Sequence, residues 1–414
     1  MTANKRMQDK LAALPGVRSV RRPITPGADE RFDLFYVRSG PQTTHPVVII
    51  PGGPGVASIQ QYRGMRRRAV AKGMDVIMIE HRGVGLSRLT DSGADLPPEA
   101  LTLDQVVDDV AAVLDDAVVG TADIYGTSYG SYVAAGVGVR HPDRVRAMVL
   151  DSPLLSTDDI DAVRMAIRGV LLEGDDPQTA ELAPKIRRLV DEGVLGSAAG
   201  HTATMVYGYG GARLLGRQVD LLLRRRMLLW CGLRRLDAMS LRTVPYRNEV
   251  DLVSRIAFRE LNYAGVPDGL PLDPAEAIHE MARHEPSFEA EPYDLAAEMP
   301  RFAWPTVVIS GGRDLTTPAA VAERIAALIP GAVLLRLPTA GHSALDTREK
   351  AAFAVIDAVR TGATHRLPAS AAELDALPGS AAIRLLVSAI SAAAAVESAL
   401  PSAIPRMLNR VRAS

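Results

Sequence analysis

The pentapeptide Gly126-Thr127-Ser128-Tyr129-Gly130 stands directly after a short apolar run, Ala122 to Tyr125, and directly before a helical pattern. No other feature restricts the fold as much. A serine between glycines at this junction predicts a sharp strand-to-helix turn with strained backbone, where only very small neighbours avoid clashes. Such a turn lifts the hydroxyl above the edge of a sheet, at the positive end of the following helix. Ser131, Ala134, Ala135, Gly136 and Gly138 keep that helix thin enough to pack closely.

The rest of the chain supplies the sheet. Val47 to Ile50, Asp75 to Ile79, Ala122 to Tyr125 and Val145 to Leu150 are short apolar runs, and runs without a polar face suit central parallel strands covered by helices. Leu103, Val106, Val107, Val110, Val113 and Leu114 repeat at helical spacing, with Thr102 and Gln105 placed to cap the start. From Ser156 to Met299 the strand signal gives way to helical patterns. Strands resume at Thr306 to Ser310 and Val333 to Leu337, followed by a helix from about Arg348 to Arg360. The expected organisation is an α/β domain of mainly parallel sheet built from 1–155 and 300–362. A helical cap over 156–299 interrupts it, and a C-terminal helical extension over 363–414 follows.

A serine hydroxyl is a weak nucleophile and needs a base that a third group orients. On a strand–turn–helix of this kind, the partners are expected in the order Ser, acid, His, each after a later strand. Asp314 in Gly311-Gly312-Arg313-Asp314 and His342 in Thr339-Ala340-Gly341-His342 stand at those places. His45, His81, His141, His201, His279, His284 and His365 lack such context and are read as structural. An oxyanion would need two backbone N–H donors. Tyr129 is expected to supply one. The loop Pro51-Gly52-Gly53-Pro54-Gly55 supplies the other, from Gly53, because proline has no N–H.

Composition narrows the function classes. Lys and Arg number 47 against 48 Asp and Glu, a formal net charge of -1, so no long-range field favours nucleic acid or an anionic membrane. Cys231 is the single cysteine, which excludes an intrachain disulfide and any CxxC metal site. The residues after Met1 show no signal-peptide pattern. The apolar stretch from Ala381 to Leu400 comes nearest to a membrane span, but Arg384 and Glu397 interrupt it. The expectation is a cytoplasmic protein without metal, cofactor, nucleic-acid or membrane partner, acting on a small acyl substrate.

With these pieces placed, the chain resembles the α/β-hydrolase fold and, within it, the proline iminopeptidase and tripeptidyl aminopeptidase group. The matching residues are Gly52-Gly53-Pro54-Gly55, His81-Arg82-Gly83-Val84-Gly85-Leu86-Ser87, Gly126-Thr127-Ser128-Tyr129-Gly130-Ser131-Tyr132, Gly311-Gly312-Arg313-Asp314, Thr317-Pro318 and Gly341-His342. The group's iminopeptidases usually carry His where Pro51 stands, and Asp-Gln where Glu80-His81 stands. The resemblance implies a serine aminopeptidase that releases N-terminal proline, another residue or a short peptide through an acyl-enzyme, with Arg82 in a structural role. The same chemistry on an ester, lactone or other small acyl compound is the alternative. The resemblance also implies acidic cap residues that hold a free α-amine, for which Glu260 and Glu249 are the candidates. Arg255 and Arg259 offer them another use, as ion pairs on a solvated face. Trp230, Tyr207, Tyr209, Phe258 and Phe288 are candidates to line an apolar pocket or to fill the cap's core.

Overall fold

Val47-Val48-Ile49-Ile50 has no polar face, and every one of its side chains is buried. A strand of that kind is stable only when helices cover both sides of its sheet. The computed structural model, which describes residues 3–196, 199–240 and 242–401, meets that demand. Among the described residues eight strands form one sheet: β1 (Val17–Pro23), β2 (Arg31–Ser39), β3 (Val47–Ile50), β4 (Val76–Ile79), β5 (Ala122–Thr127), β6 (Val145–Asp151), β7 (Thr306–Gly311) and β8 (Val333–Leu337). Their order is β1-β2-β4-β3-β5-β6-β7-β8. The β1–β2 and β2–β4 pairs are antiparallel, and every pair from β4 to β8 is parallel.

Six of these strands coincide with the predicted apolar runs. β1 and β2 are additions. β2 buries Phe32, Leu34 and Tyr36 at alternate positions, a period-two signal present in the sequence. β1 reads Val-Arg-Ser-Val-Arg-Arg-Pro and has no apolar run; its ladder with β2 is what makes it a strand.

Helices 103–116 and 129–140 cover one face of the sheet with β-strand residues such as Val48, Ile124 and Met148. Helix 349–360, through Phe353, Val355 and Ile356, covers the other face. Thr102 caps the first of these helices, its hydroxyl accepting the Gln105 N–H at 3.3 Å. Between Asp151 and Thr306 the described residues form helices and loops, with a separate core around Leu171, Tyr207, Leu214 and Trp230.

Residues 402–414 of the expected C-terminal extension lie outside the described residues. Ala381–Ala399 is one helix, long and apolar enough by length and composition to cross a membrane, and 17% of its most apolar stretch is buried. One face of it, Leu386, Val387 and Ile390, packs on the insert. The interrupting Glu397 is buried, and its carboxylate accepts the Leu228 and Leu229 amides at 2.8 and 2.7 Å, at the start of helix 228–240. That is a favourable place for an anion.

One buried ion pair ties the turn after β4 to helix 103–116. Arg82 donates to both oxygens of Asp109 at 2.7 Å and to the carbonyl of Ala100 at 2.8 Å, and its guanidinium lies 5.2 Å from the Phe32 ring. Arg22 adds a 2.9 Å bond to Asp109. Replacing Asp109 by Ala would strand a guanidinium that is 1% exposed, so we expect a loss of about 3–5 kcal/mol. Urea unfolding measures it; a loss below about 1 kcal/mol would mean that water replaces the carboxylate.

Candidate active site

β5 ends on Thr127, and Ser128 follows with φ 53 and ψ -126 before helix 129–140 begins. This is the left-handed region, costly for a residue with a Cβ. Close packing explains the flanking glycines. A Cβ on Gly126 would fall on the carbonyl of Gly130, and one on Gly130 would fall on those of Ile50 and Pro51. The Ser128 N–H donates to the Asp151 carbonyl at 2.9 Å, so the turn is bonded to the end of β6.

Asp314 and His342 come together after β7 and β8. Nδ1 of His342 lies 2.9 Å from Oδ2 of Asp314. Three more bonds fix the carboxylate: the Thr316 and Thr317 amides, each at 2.9 Å, and the Thr317 hydroxyl at 2.8 Å. Burial alone would push the Asp314 carboxyl up, but His342 and the Thr317 groups hold it below its ordinary value. For His342, burial favours the neutral ring, and the Asp314 carboxylate outweighs it and raises the imidazole. A carboxylate on Nδ1 selects the tautomer that leaves Nε2 free to accept a proton.

Tyr129 is the first residue of the helix and is buried. In the glycine loop it is Gly52 that abuts Ser128: a Cβ there would sit 3.2 Å from Ser128 Cβ and 3.7 Å from its Oγ. Gly53 is exposed, with φ 131, and its missing side chain makes room for the Gly55 amide.

Glu249 and Glu260 are buried and already partnered. Glu249 accepts the Gly85 amide at 2.8 Å and the Tyr246 amide at 2.6 Å, and its own N–H donates to Gly55. Glu260 accepts the Leu103 amide at 2.7 Å, at the start of helix 103–116, and a 2.6 Å bond from Arg259. Both carboxylates therefore pin the insert to the α/β core. Tyr207 and Trp230 lie in the insert's own core, whereas Phe288 is exposed.

A family model for the α/β hydrolase fold matches residues 45–175, which include Ser128 and the glycine loop. That match agrees with the parallel strand order and with the serine turn after β5. The fold is that of the α/β hydrolases. Within them the chain resembles the proline iminopeptidases: it is 27% identical over 134 residues to the proline iminopeptidase of Neisseria meningitidis serogroup A, covering 32% of this chain and 41% of that protein. It is 32% identical over 154 residues to the 2-hydroxymuconate semialdehyde hydrolase of Pseudomonas sp. strain CF600, covering 35% of this chain and 46% of that protein. The chain thus spans under half the length of the curated relatives it matches. A solved proline iminopeptidase of Mycobacterium smegmatis superposes over 86% of this chain and 100% of its own, with TM-score 0.48 and 17% identity.

In this fold the Glu80-His81 pair has a structural use that spacing did not reveal. Glu80 accepts the Ser58 and Ile59 amides at 2.7 and 3.0 Å, and burial pushes its carboxyl up to about 7. His81 is buried beside Gly52, Tyr129, Val253 and Ile256, and neither ring nitrogen has a hydrogen-bond partner among the described residues. Burial lowers it to about 4 from 6.5. The unfolded chain therefore takes up this proton first, and stability present above pH 6.5 is lost as the pH falls to about 4. His81→Leu should weaken that acid dependence; urea midpoints at about pH 7 and pH 5 measure it, and an unchanged dependence would exclude His81 as its source.

Proposed function

We propose that this chain is a serine hydrolase that cleaves an acyl bond through a covalent acyl-enzyme. The 2.9 Å bond between His342 Nδ1 and Asp314 carries the reading, because it readies a base after the strand order has placed Ser128 on its strained turn. Ser128 Oγ attacks the substrate carbonyl while His342 Nε2 takes its proton. The oxyanion is held by the Tyr129 N–H and an N–H of the Gly52-Gly53 segment. The tetrahedral intermediate collapses, His342 returns the proton to the departing amine or alcohol, and a water activated by the same imidazole releases the acyl group. Asp314 holds the ring and balances the imidazolium charge.

The substrate we propose is a short peptide with a free N-terminus, from which proline, another residue or a short peptide is released. The glycine loop, the Arg82 turn and the serine turn support this reading through their likeness to proline iminopeptidases. A second reading, an ester, lactone or other small acyl compound, draws on Glu249 and Glu260. Both oxygens of Glu249 already accept backbone amides, and those of Glu260 accept the Leu103 amide and the Arg259 guanidinium.

A panel of free-amine prolyl, alanyl and tripeptidyl amides, their N-acetylated forms and short-chain aryl esters separates the two. Cleavage of free-amine amides alone, abolished in Ser128→Ala, supports the aminopeptidase. Fast ester turnover without amide cleavage overturns it. In the aminopeptidase, Glu260→Gln should raise KM for free-amine substrates at least about tenfold; in the esterase KM should stay level.

The base works as neutral imidazole, so kcat/KM should rise as the pH climbs through a value above 6.5, the raised position of His342. Asp314→Asn removes the group that raises it. The limb should move to lower pH while kcat falls about 10⁴-fold. A pH–rate profile of both forms tests this, and an unmoved limb would assign the titration elsewhere.

A further inference from the structure

β6 lies between the strand that carries Ser128 and the strand that precedes Asp314. Its last residue, Asp151, is fully buried and outside the Ser, His and Asp set. Its main-chain carbonyl accepts the Ser128 N–H at 2.9 Å. Its side chain turns to the His342 loop: Oδ1 accepts the Ala344 amide at 3.0 Å and Oδ2 the Leu345 amide at 2.9 Å. The next residue, Ser152, accepts the Ser343 amide on its hydroxyl at 2.9 Å, and its own N–H donates to Ile309 on β7 at 3.0 Å. Three consecutive amides directly after His342 are thus held by one dipeptide. Tyr125, on the strand that carries the serine, donates its hydroxyl to Asp151 Oδ2 at 2.8 Å.

We propose that Asp151 is the positioning residue of the base, its carboxylate gripping the loop that carries His342 while its carbonyl grips the turn that carries Ser128. The inference rests on the reading of Ser128 as nucleophile and His342 as base. A loop that ends in an imidazole has no rigidity of its own. Bonds to a strand end inside the sheet hold it within the tolerance that proton transfer requires. A carboxylate accepts at both oxygens and adds charge near the ring, whereas a carboxamide would turn an NH2 donor toward one of the two amides. Asp314 faces the imidazole from β7, Asp151 from β6 and Asp346 from the 344–347 turn; all three favour the imidazolium. Around Asp151 itself stand Tyr125, Tyr62 and His342, and Asp346 contacts Tyr62 at 2.9 Å.

Asp151→Asn keeps the shape and removes the charge. We expect kcat to fall about 100-fold with KM within about twofold, since the ring is misplaced and the substrate site is untouched. The acidic limb of kcat/KM should move down by about half a pH unit, because one of the charges that favour imidazolium is gone. A residue needed only for folding would lower the active fraction at every pH and leave the limb in place. Titration of the active fraction with a fluorophosphonate, which labels the nucleophile, separates these cases. An unmoved limb, or a kcat per labelled site equal to wild type, overturns the proposal. Where Asp151→Asn does not fold, Ser152→Ala carries the test. It frees only the Ser343 amide and should lower kcat about tenfold at constant KM. No change in kcat overturns the proposal equally. Failure of the underlying reading has its own signature: Ser128→Ala that still hydrolyses and is still labelled overturns both.

Discussion

The backbone at Ser128 is the constraint on which the rest of the structure depends. A φ of 53 on a residue with a Cβ costs on the order of 1–3 kcal/mol and persists only where its surroundings over-determine it. Here they do so from three sides. Gly126 and Gly130 let the helix start press onto β3, where any Cβ would collide with the Gly130, Ile50 or Pro51 carbonyls. The Ser128 N–H is bonded to Asp151 on β6. β5 itself is buried along its whole length. The strain is thus carried by the sheet, and the hydroxyl emerges where the strands end.

The insert is joined to that platform by charge as well as by apolar contact. Glu249 reaches the Gly85 turn, and its backbone pairs with Gly55 beside the serine loop. Glu260 caps the helix that lies against the sheet. Beside Asp314 and His342, helix 199–223 breaks its regular geometry at Gly211, where the Arg313 guanidinium occupies the space a side chain would need. A Cβ on Gly341 would meet the Gly208 carbonyl at 2.6 Å, so the roof and the His342 loop touch through glycines. Carboxylates that look available in one dimension are consumed by orphan amides at turns and helix starts.

Several elements were legible in the chain because their signal is local. The serine turn announces itself through its glycines, and Asp314 and His342 each follow a short apolar strand in the order such a turn demands. Helix 103–116 shows its buried face at the spacing of a helix, and Thr102 caps it. β2 carried a readable alternation in Phe32, Leu34 and Tyr36. β1 did not, since three arginines and an edge position leave only pairing with β2 to define it. Asp151 had a faint signal: a carboxylate closing an apolar strand, as Asp314 follows one. Its bonds to residues nearly two hundred positions away have no trace in spacing.

The local chain alone encodes the sheet's central strands, the strained serine, and the placement of Asp314 and His342 after later strands, because strand burial and turn sterics act over a few residues. Tertiary structure decided which partners each buried charge takes. It set Gly52 against Ser128, and spent Glu249 on two backbone amides and Glu260 on the Leu103 amide and Arg259. It also left His81 among apolar neighbours and brought Asp151 between the Ser128 turn and the His342 loop. A buried donor or acceptor is satisfied by whatever group folding brings within about 3 Å, and that distance is set by packing across the whole molecule.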